Sequence, residues 1–152
     1  NSLMLKENSF APNFNLLDQE DRMHSLSDYK GNWLLIYFYP KDFTPNCTTE
    51  ACSIRDAFAD LREINIKVIG INNDSKESHK KFAEKHKLSF PLLTDPKMET
   101  IKAYKANFLF LTWRISYLIT PKGIIRKAYG FVNPANHPKE VIEDVKKFLE
   151  II

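Results

Sequence analysis

Cys47 and Cys52 are the two cysteines of this chain, five positions apart in Thr44-Pro45-Asn46-Cys47-Thr48-Thr49-Glu50-Ala51-Cys52. Just before them runs the apolar stretch Trp33-Leu34-Leu35-Ile36-Tyr37-Phe38-Tyr39-Pro40, which reads as a buried strand. Pro45 bars helix ahead of it, and Thr48 onward reads as helix. Cys47 is therefore expected where a strand hands over to a helix N-terminus, with unpaired backbone N–H groups facing its sulfur. Those surroundings favour the thiolate, the nucleophilic form of cysteine. The pattern points to redox chemistry.

Cys47 also extends the helix's buried stripe, standing four, seven and eleven residues ahead of Ala51, Ile54 and Phe58. Its sulfur should lie in a small, partly dry depression. Burial opposes charge there, and a helix N-terminus returns only about 0.3–1 kcal/mol. A hydroxyl donor and a cation are needed as well. Thr44, on the same loop, can supply the hydroxyl. Arg114, which opens the strand-like Ile115-Ser116-Tyr117-Leu118-Ile119-Thr120, is the favoured cation. Arg55, Arg62 and Arg126 compete with it on spacing. Arg55 falls on the polar side of the first helix and Arg62 near its far end.

Five residues in a regular helix are a rotation of about 140° and a Cα separation of roughly 8.6 Å. A disulfide wants less than about 7 Å. Cys47 and Cys52 can therefore bond only if the first turn or two of the helix unwinds. The alternative is that Cys52 is an idle helix residue beside Arg55 and Asp56.

The remaining elements must hold this site. A chain of 152 residues, 43% hydrophobic and 27% charged, fits one soluble domain spanning 1–152. Phe14-Asn15-Leu16 reads as an edge strand, and Ser25 to Gly31 as a helical turn closed by glycine. A helix over 48–64 leads into the buried strand Val68-Ile69-Gly70-Ile71, implying a parallel strand pair. Ser75 caps a second helix running to about Lys87, and a short one lies near Met98 to Tyr104. Ile115–Thr120 and Ile124–Tyr129 flank Pro121-Lys122-Gly123 as a hairpin. Pro138 starts a last helix with Val141, Ile142, Val145, Phe148, Leu149 and Ile152 inward. That order is the α/β, thioredoxin-like one: a central mixed β-sheet flanked by helices.

Net charge is +3, with lysines scattered among acids and no basic stripe, so no nucleic-acid partner is expected. No apolar stretch approaches the roughly 18 residues needed to cross a membrane. The cytoplasm is the expected compartment, with a removed targeting segment left open. Two close cysteines suit catalysis or a metal in a reducing compartment better than a structural disulfide framework.

These residues resemble a peroxiredoxin. The family motif Pro-x-x-x-Thr/Ser-x-x-Cys is matched by Pro40-Lys41-Asp42-Phe43-Thr44-Pro45-Asn46-Cys47. Tyr37-Phe38-Tyr39-Pro40-Lys41-Asp42 and Cys47-Thr48-Thr49-Glu50-Ala51-Cys52 are similar to the bacterioferritin comigratory (PrxQ) subgroup. The likeness continues through 75–82, 90–95 and 114–119. It implies a thioredoxin-dependent thiol peroxidase acting on hydrogen peroxide and organic hydroperoxides. Cys47 would become a sulfenic acid, and Cys52 would resolve it as an intramolecular disulfide that thioredoxin or a glutaredoxin-type dithiol reduces. Pro40, Thr44, Glu50 and Arg114 would bind substrate around Cys47, with Glu50 ordering Arg114. No cofactor or metal is implied, and a monomer or weak dimer is expected.

Three departures stand out. Asn46 replaces the usual glycine and should tolerate a left-handed conformation. Phe43 replaces a polar residue at the pocket mouth. Asn107-Phe108-Leu109-Phe110-Leu111-Thr112-Trp113 is unusually apolar, and is read as an exposed or mobile surface near the site rather than core. Three rival readings remain: a metal site of Cys47, Cys52, His79 and His86, with both histidines on or near a helix surface; a disulfide oxidoreductase; and a redox sensor without turnover.

Overall fold

Both faces of the run from Trp33 to Tyr39 are covered, which is why it forms the central strand. Leu34, Ile36 and Phe38 join one apolar cluster, while Leu35, Tyr37 and Tyr39 join another. The computed structural model describes residues 3–150. In chain order these form β1 (Asn15–Leu17), β2 (Met23–Ser25), a 3-10 turn (Leu26–Tyr29), β3 (Trp33–Phe38), α1 (Pro45–Asp56) and α2 (Phe58–Glu63). There follow β4 (Ile66–Asn72), α3 (Lys76–His86), β5 (Leu92–Thr94), α4 (Glu99–Ala103), β6 (Asn107–Phe108) and β7 (Leu111–Thr112). The chain closes with β8 (Ile115–Ile119), β9 (Ile125–Tyr129) and α5 (His137–Glu150).

Seven strands make one mixed sheet in the order β2-β1-β5-β4-β3-β8-β9. β3 pairs in parallel with β4 and antiparallel with β8, with Phe38 opposite Ile115. That register does the work for the site. One step beyond the pair lie Tyr39 and Arg114, so the antiparallel neighbour brings Arg114 to the carboxyl end of β3. There, ligands of open α/β sheets gather and the chain turns into α1.

α1, α2, α3 and α5 supply Ala51, Ile54, Leu61, Phe82, Val141 and Val145 to one face of the sheet. α4 and the 3-10 turn cover the other with Ile101 and Leu26. Ser75 Oγ accepts from the Ser78 N–H and caps α3, as expected. Gly123, with φ +84°, makes the β8–β9 turn. Gly70 on β4 has a different task. A Cβ there would lie 2.7 Å from the Tyr37 ring, so its bare backbone is what lets that ring lie across β4. Among the described residues no helix is long and apolar enough to cross a membrane.

Several sequence expectations need correction. The helix over 48–64 starts at Pro45 and breaks at Ala57, which takes φ −92° and ψ 4°, outside the helical well. β1 is not an edge strand, because β2 lies outside it. Leu149 is 45% exposed rather than inward, since α5 turns that flank to solvent. Ile152 lies outside the described residues. The others, at Thr44, Asn46 and His79, belong to the site.

Candidate active site

α1 begins with Thr44 as its flanking residue and Pro45 as its first, a position where the missing N–H of proline costs nothing. The helical ladder opens with the Thr48 N–H donating to the Thr44 carbonyl at 2.8 Å. The Cys47 N–H, one position earlier, lies ahead of that ladder. Cys47 is 1% exposed, so its sulfur sits in the dry depression that its place on the stripe implies.

Arg114 is the cation that meets it. Its Nη2 donates to Cys47 Sγ at 3.2 Å, and its Nη1 donates to Glu50 Oε1 at 2.8 Å. One guanidinium thus bridges a buried sulfur and a buried carboxylate. Burial opposes its charge, but the hydrogen bonds and negative charges of Cys47 and Glu50 outweigh that and raise its pKa. Of the competing arginines, Arg55 pairs with Asp56, and Arg126 stacks over Phe148 at 3.7 Å.

Glu50 is fully enclosed, and its second oxygen, Oε2, has no hydrogen-bond partner. Burial pushes its carboxyl from 4.5 up to about 7, against the downward pull of Arg114. A carboxyl with a raised folded-state pKa holds its proton more tightly folded than unfolded. The stability it contributes is full below about pH 4.5 and is lost as pH climbs through about 7, for a total of about 3 kcal/mol. Glu50→Gln should therefore gain about that much relative to the parent between pH 4.5 and 8. Urea denaturation at the two pH values checks it, and an unchanged difference would return Glu50 to ordinary titration.

Thr44 lies on the loop before α1, where its hydroxyl donates to the Lys41 carbonyl at 2.8 Å, so its one proton is not given to the Cys47 sulfur as expected, and only its lone pairs are left to accept. Pro40 is exposed at the end of β3. Phe43, not Asn46, takes the left-handed conformation, with φ +67°. Asn46 is already the second residue of α1. The turn sharpens earlier than the motif suggests, and the Phe43 ring packs edge-on against Phe82 at 5.1 Å, partly offsetting the strain.

A buried network that the sequence did not announce holds this loop. Asp42 accepts from Tyr39 Oη at 2.6 Å and Ser78 Oγ at 2.8 Å, and pairs with His79 Nδ1 at 2.7 Å. The other ring nitrogen of His79 meets the Leu93 carbonyl at 3.2 Å. His79 is thus wholly buried, neither at the helix surface nor half-buried as expected, because α3 turns it inward onto the loop. Its seven-residue spacing from His86, with Phe82 between on the same face, was the available signal. With both nitrogens engaged, His79 is not brought together with the cysteines as a metal ligand.

Cys47 and Cys52 are both free thiols. Cys52 is half-buried on the flank of α1, its sulfur 3.8 Å from His86 Nδ1. Beyond Arg114, β6 and β7 form a small hairpin on which Phe108, Leu109, Phe110, Leu111 and Trp113 are each 52–75% exposed. The apolar segment is surface, as expected. At its base lies a recess of about 640 Å³ lined by Met4, Lys102, Phe108, Trp113, Arg114 and Ile115 among others.

Comparison with known proteins agrees with this geometry. Residues 8–128 match the AhpC/TSA family. The chain is 38% identical over 155 residues to a chloroplastic peroxiredoxin Q of Sedum lineare, covering 99% of this chain and 82% of the relative. It is 38% identical over 148 residues to peroxiredoxin Bcp of Bacillus subtilis, covering 92% and 94%. A solved PrxQ mutant of Xylella fastidiosa superposes with a TM-score of 0.90 at 29% identity, over 95% of this chain and 98% of that one. A bacterioferritin comigratory protein of Xanthomonas campestris, described for alkyl peroxide reduction, gives 0.84 at 28% identity over 89% and 91%.

Proposed function

This chain belongs to the AhpC/TSA family and is a peroxiredoxin, a thiol-dependent peroxidase, and on that premise we propose that Cys47 is its peroxidatic cysteine and Cys52 its resolving cysteine. The observation that carries the assignment is the Arg114 guanidinium at 3.2 Å from Cys47 Sγ, at the mouth of α1. A positive charge and the unpaired N–H groups ahead of the ladder thus face the sulfur in a dry site, where negative charge developing during reaction would be held.

The Cys47 thiolate attacks the near oxygen of a peroxide. The S–O bond forms as the O–O bond breaks, and the departing oxygen leaves as water or alcohol once protonated. Cys47 is then a sulfenic acid. Arg114 neutralises the charge that moves from sulfur to oxygen, Glu50 holds Arg114 in place, and Thr44 and Pro40 flank the approach. Cys52 then displaces the hydroxyl of the sulfenic acid as water, forming a disulfide that a thioredoxin-type dithiol reduces. The helix spacing of the two cysteines makes this step coincide with unwinding of the start of α1. The apolar recess beside Arg114 suits organic hydroperoxides as well as hydrogen peroxide.

NADPH consumption with thioredoxin, its reductase and a panel of peroxides tests the reading. Continued turnover separates a peroxidase from a sensor that reacts once. Cys52→Ser should reduce a single equivalent of peroxide and stop at the sulfenic acid. Full thioredoxin-driven turnover in that variant would remove Cys52 from the mechanism.

A further inference from the structure

The peroxidatic half of the cycle has its charged partners in Arg114 and Glu50. The resolving half, as assigned above, needs a proton taken from Cys52, and none of those groups contacts it. We propose that His86, the last residue of α3, is the base that takes the Cys52 proton. The inference rests on the reading of Cys52 as the resolving thiol.

The Cys52 sulfur lies 3.8 Å from His86 Nδ1, within range of an S–H···N hydrogen bond. The imidazole is held from two sides. Arg55 Nη1 donates to the His86 carbonyl at 2.7 Å, fixing the end of α3 against α1. Phe82 meets the ring edge-on at 5.2 Å, fixing its plane. The charged groups around it are Arg55 with its partner Asp56 from α1, and Lys85 from α3. Burial first, then the charges of Lys85 and Arg55, lower the proton affinity of His86 and keep it in the neutral, accepting form near pH 7. Arg55 also interacts with the charge on the Cys52 sulfur, so one guanidinium faces both partners of the transfer.

The step balances without any further reagent. The S–H bond of Cys52 breaks and its proton passes to Nδ1 while α1 is still wound. As α1 opens, the Cys52 thiolate attacks the Cys47 sulfur and an S–S bond forms. The S–O bond of the sulfenic acid breaks, and the leaving hydroxide takes a proton and departs as water. Cys52 is oxidised and Cys47 reduced to the disulfide level.

The test is single-turnover kinetics with one equivalent of hydrogen peroxide, with disulfide formation followed by mass in quenched samples. His86→Gln and His86→Phe, which keeps a ring against Phe82, should consume peroxide at the parent rate. Both should close the disulfide on the order of 10²-fold more slowly at pH 7. The deficit should shrink toward pH 9, where the higher hydroxide concentration takes over the task of the missing base. Parent-rate disulfide formation at pH 7, an equal deficit at pH 7 and 9, or a slowed first step in both variants would each overturn the proposal. Cys52→Ser is the control for the underlying reading: if that variant keeps full turnover, the resolving assignment fails rather than the role of His86.

Discussion

Replacing Cys47 with serine is expected to end peroxide consumption, dropping the rate by about 10⁶-fold, the size seen when a nucleophile is removed from an enzyme that depends on it. Serine keeps the shape of the site and the contacts of the helix start. What it lacks is a polarisable sulfur nucleophile that can attack a weak O–O bond. Arg114 and Glu50 remain in place around it, so the loss cannot be assigned to collapse of the pocket. The fold should be retained at a cost of about 1–3 kcal/mol, since little volume changes but a hydroxyl is buried in place of a thiol. Peroxide loss and far-UV circular dichroism on the same sample separate the two effects. Residual consumption inhibited by thiol alkylation would mean that Cys52 is the nucleophile.

The second large effect is at Arg114. Arg114→Ala removes the cation from a fully buried carboxylate and a buried sulfur together. Loss of one preorganised charge from a reacting centre costs about 10²–10³ in rate, and kcat/KM for peroxide should fall by that factor. Stability falls too, in a pH-dependent way. Leaving an ionised buried partner alone costs about 3–5 kcal/mol, but Glu50 already titrates near about 7 and avoids most of that penalty by staying protonated at lower pH. The destabilisation should therefore be small at pH 6 and large at pH 8. Arg114→Lys should restore part of the stability but little of the rate, because an ammonium cannot reach sulfur and carboxylate with two arms of one plane. Steady-state kinetics and urea midpoints at both pH values check these results. Equal midpoint shifts at pH 6 and 8 would show that Glu50 does not sense Arg114.

Much of the site was legible because its signals are local. Pro45 at the first turn, the apolar run before it and the stripe Cys47, Ala51, Ile54 fix where the sulfur sits. Arg114 was reachable through the strand it precedes, and the β3–β8 register explains why a residue so far along the chain arrives there. What escaped was set by contacts distant in sequence. The break at Ala57 has no glycine or proline to mark it. β2 is three residues long and exists because β1 offers it an edge. His79 reads as a helix-surface or half-buried residue until Asp42 is placed opposite it. Phe43 rather than Asn46 takes the positive φ because α1 has already begun by Asn46, and propensity yielded to that geometry.

Tyr37 stands behind Cys47 and Glu50 as part of the wall at their backs, and its ring shares their electrostatic surroundings. The room for that ring is made one strand away, by the residue at position 70 having no side chain. Even an alanine there would have to displace the phenol from the place it holds. A residue that touches no peroxide and bears no charge thereby sets the room for the ring at the back of the site, and the peroxidase is open to disturbance from the rear of its sheet as well as from its open front.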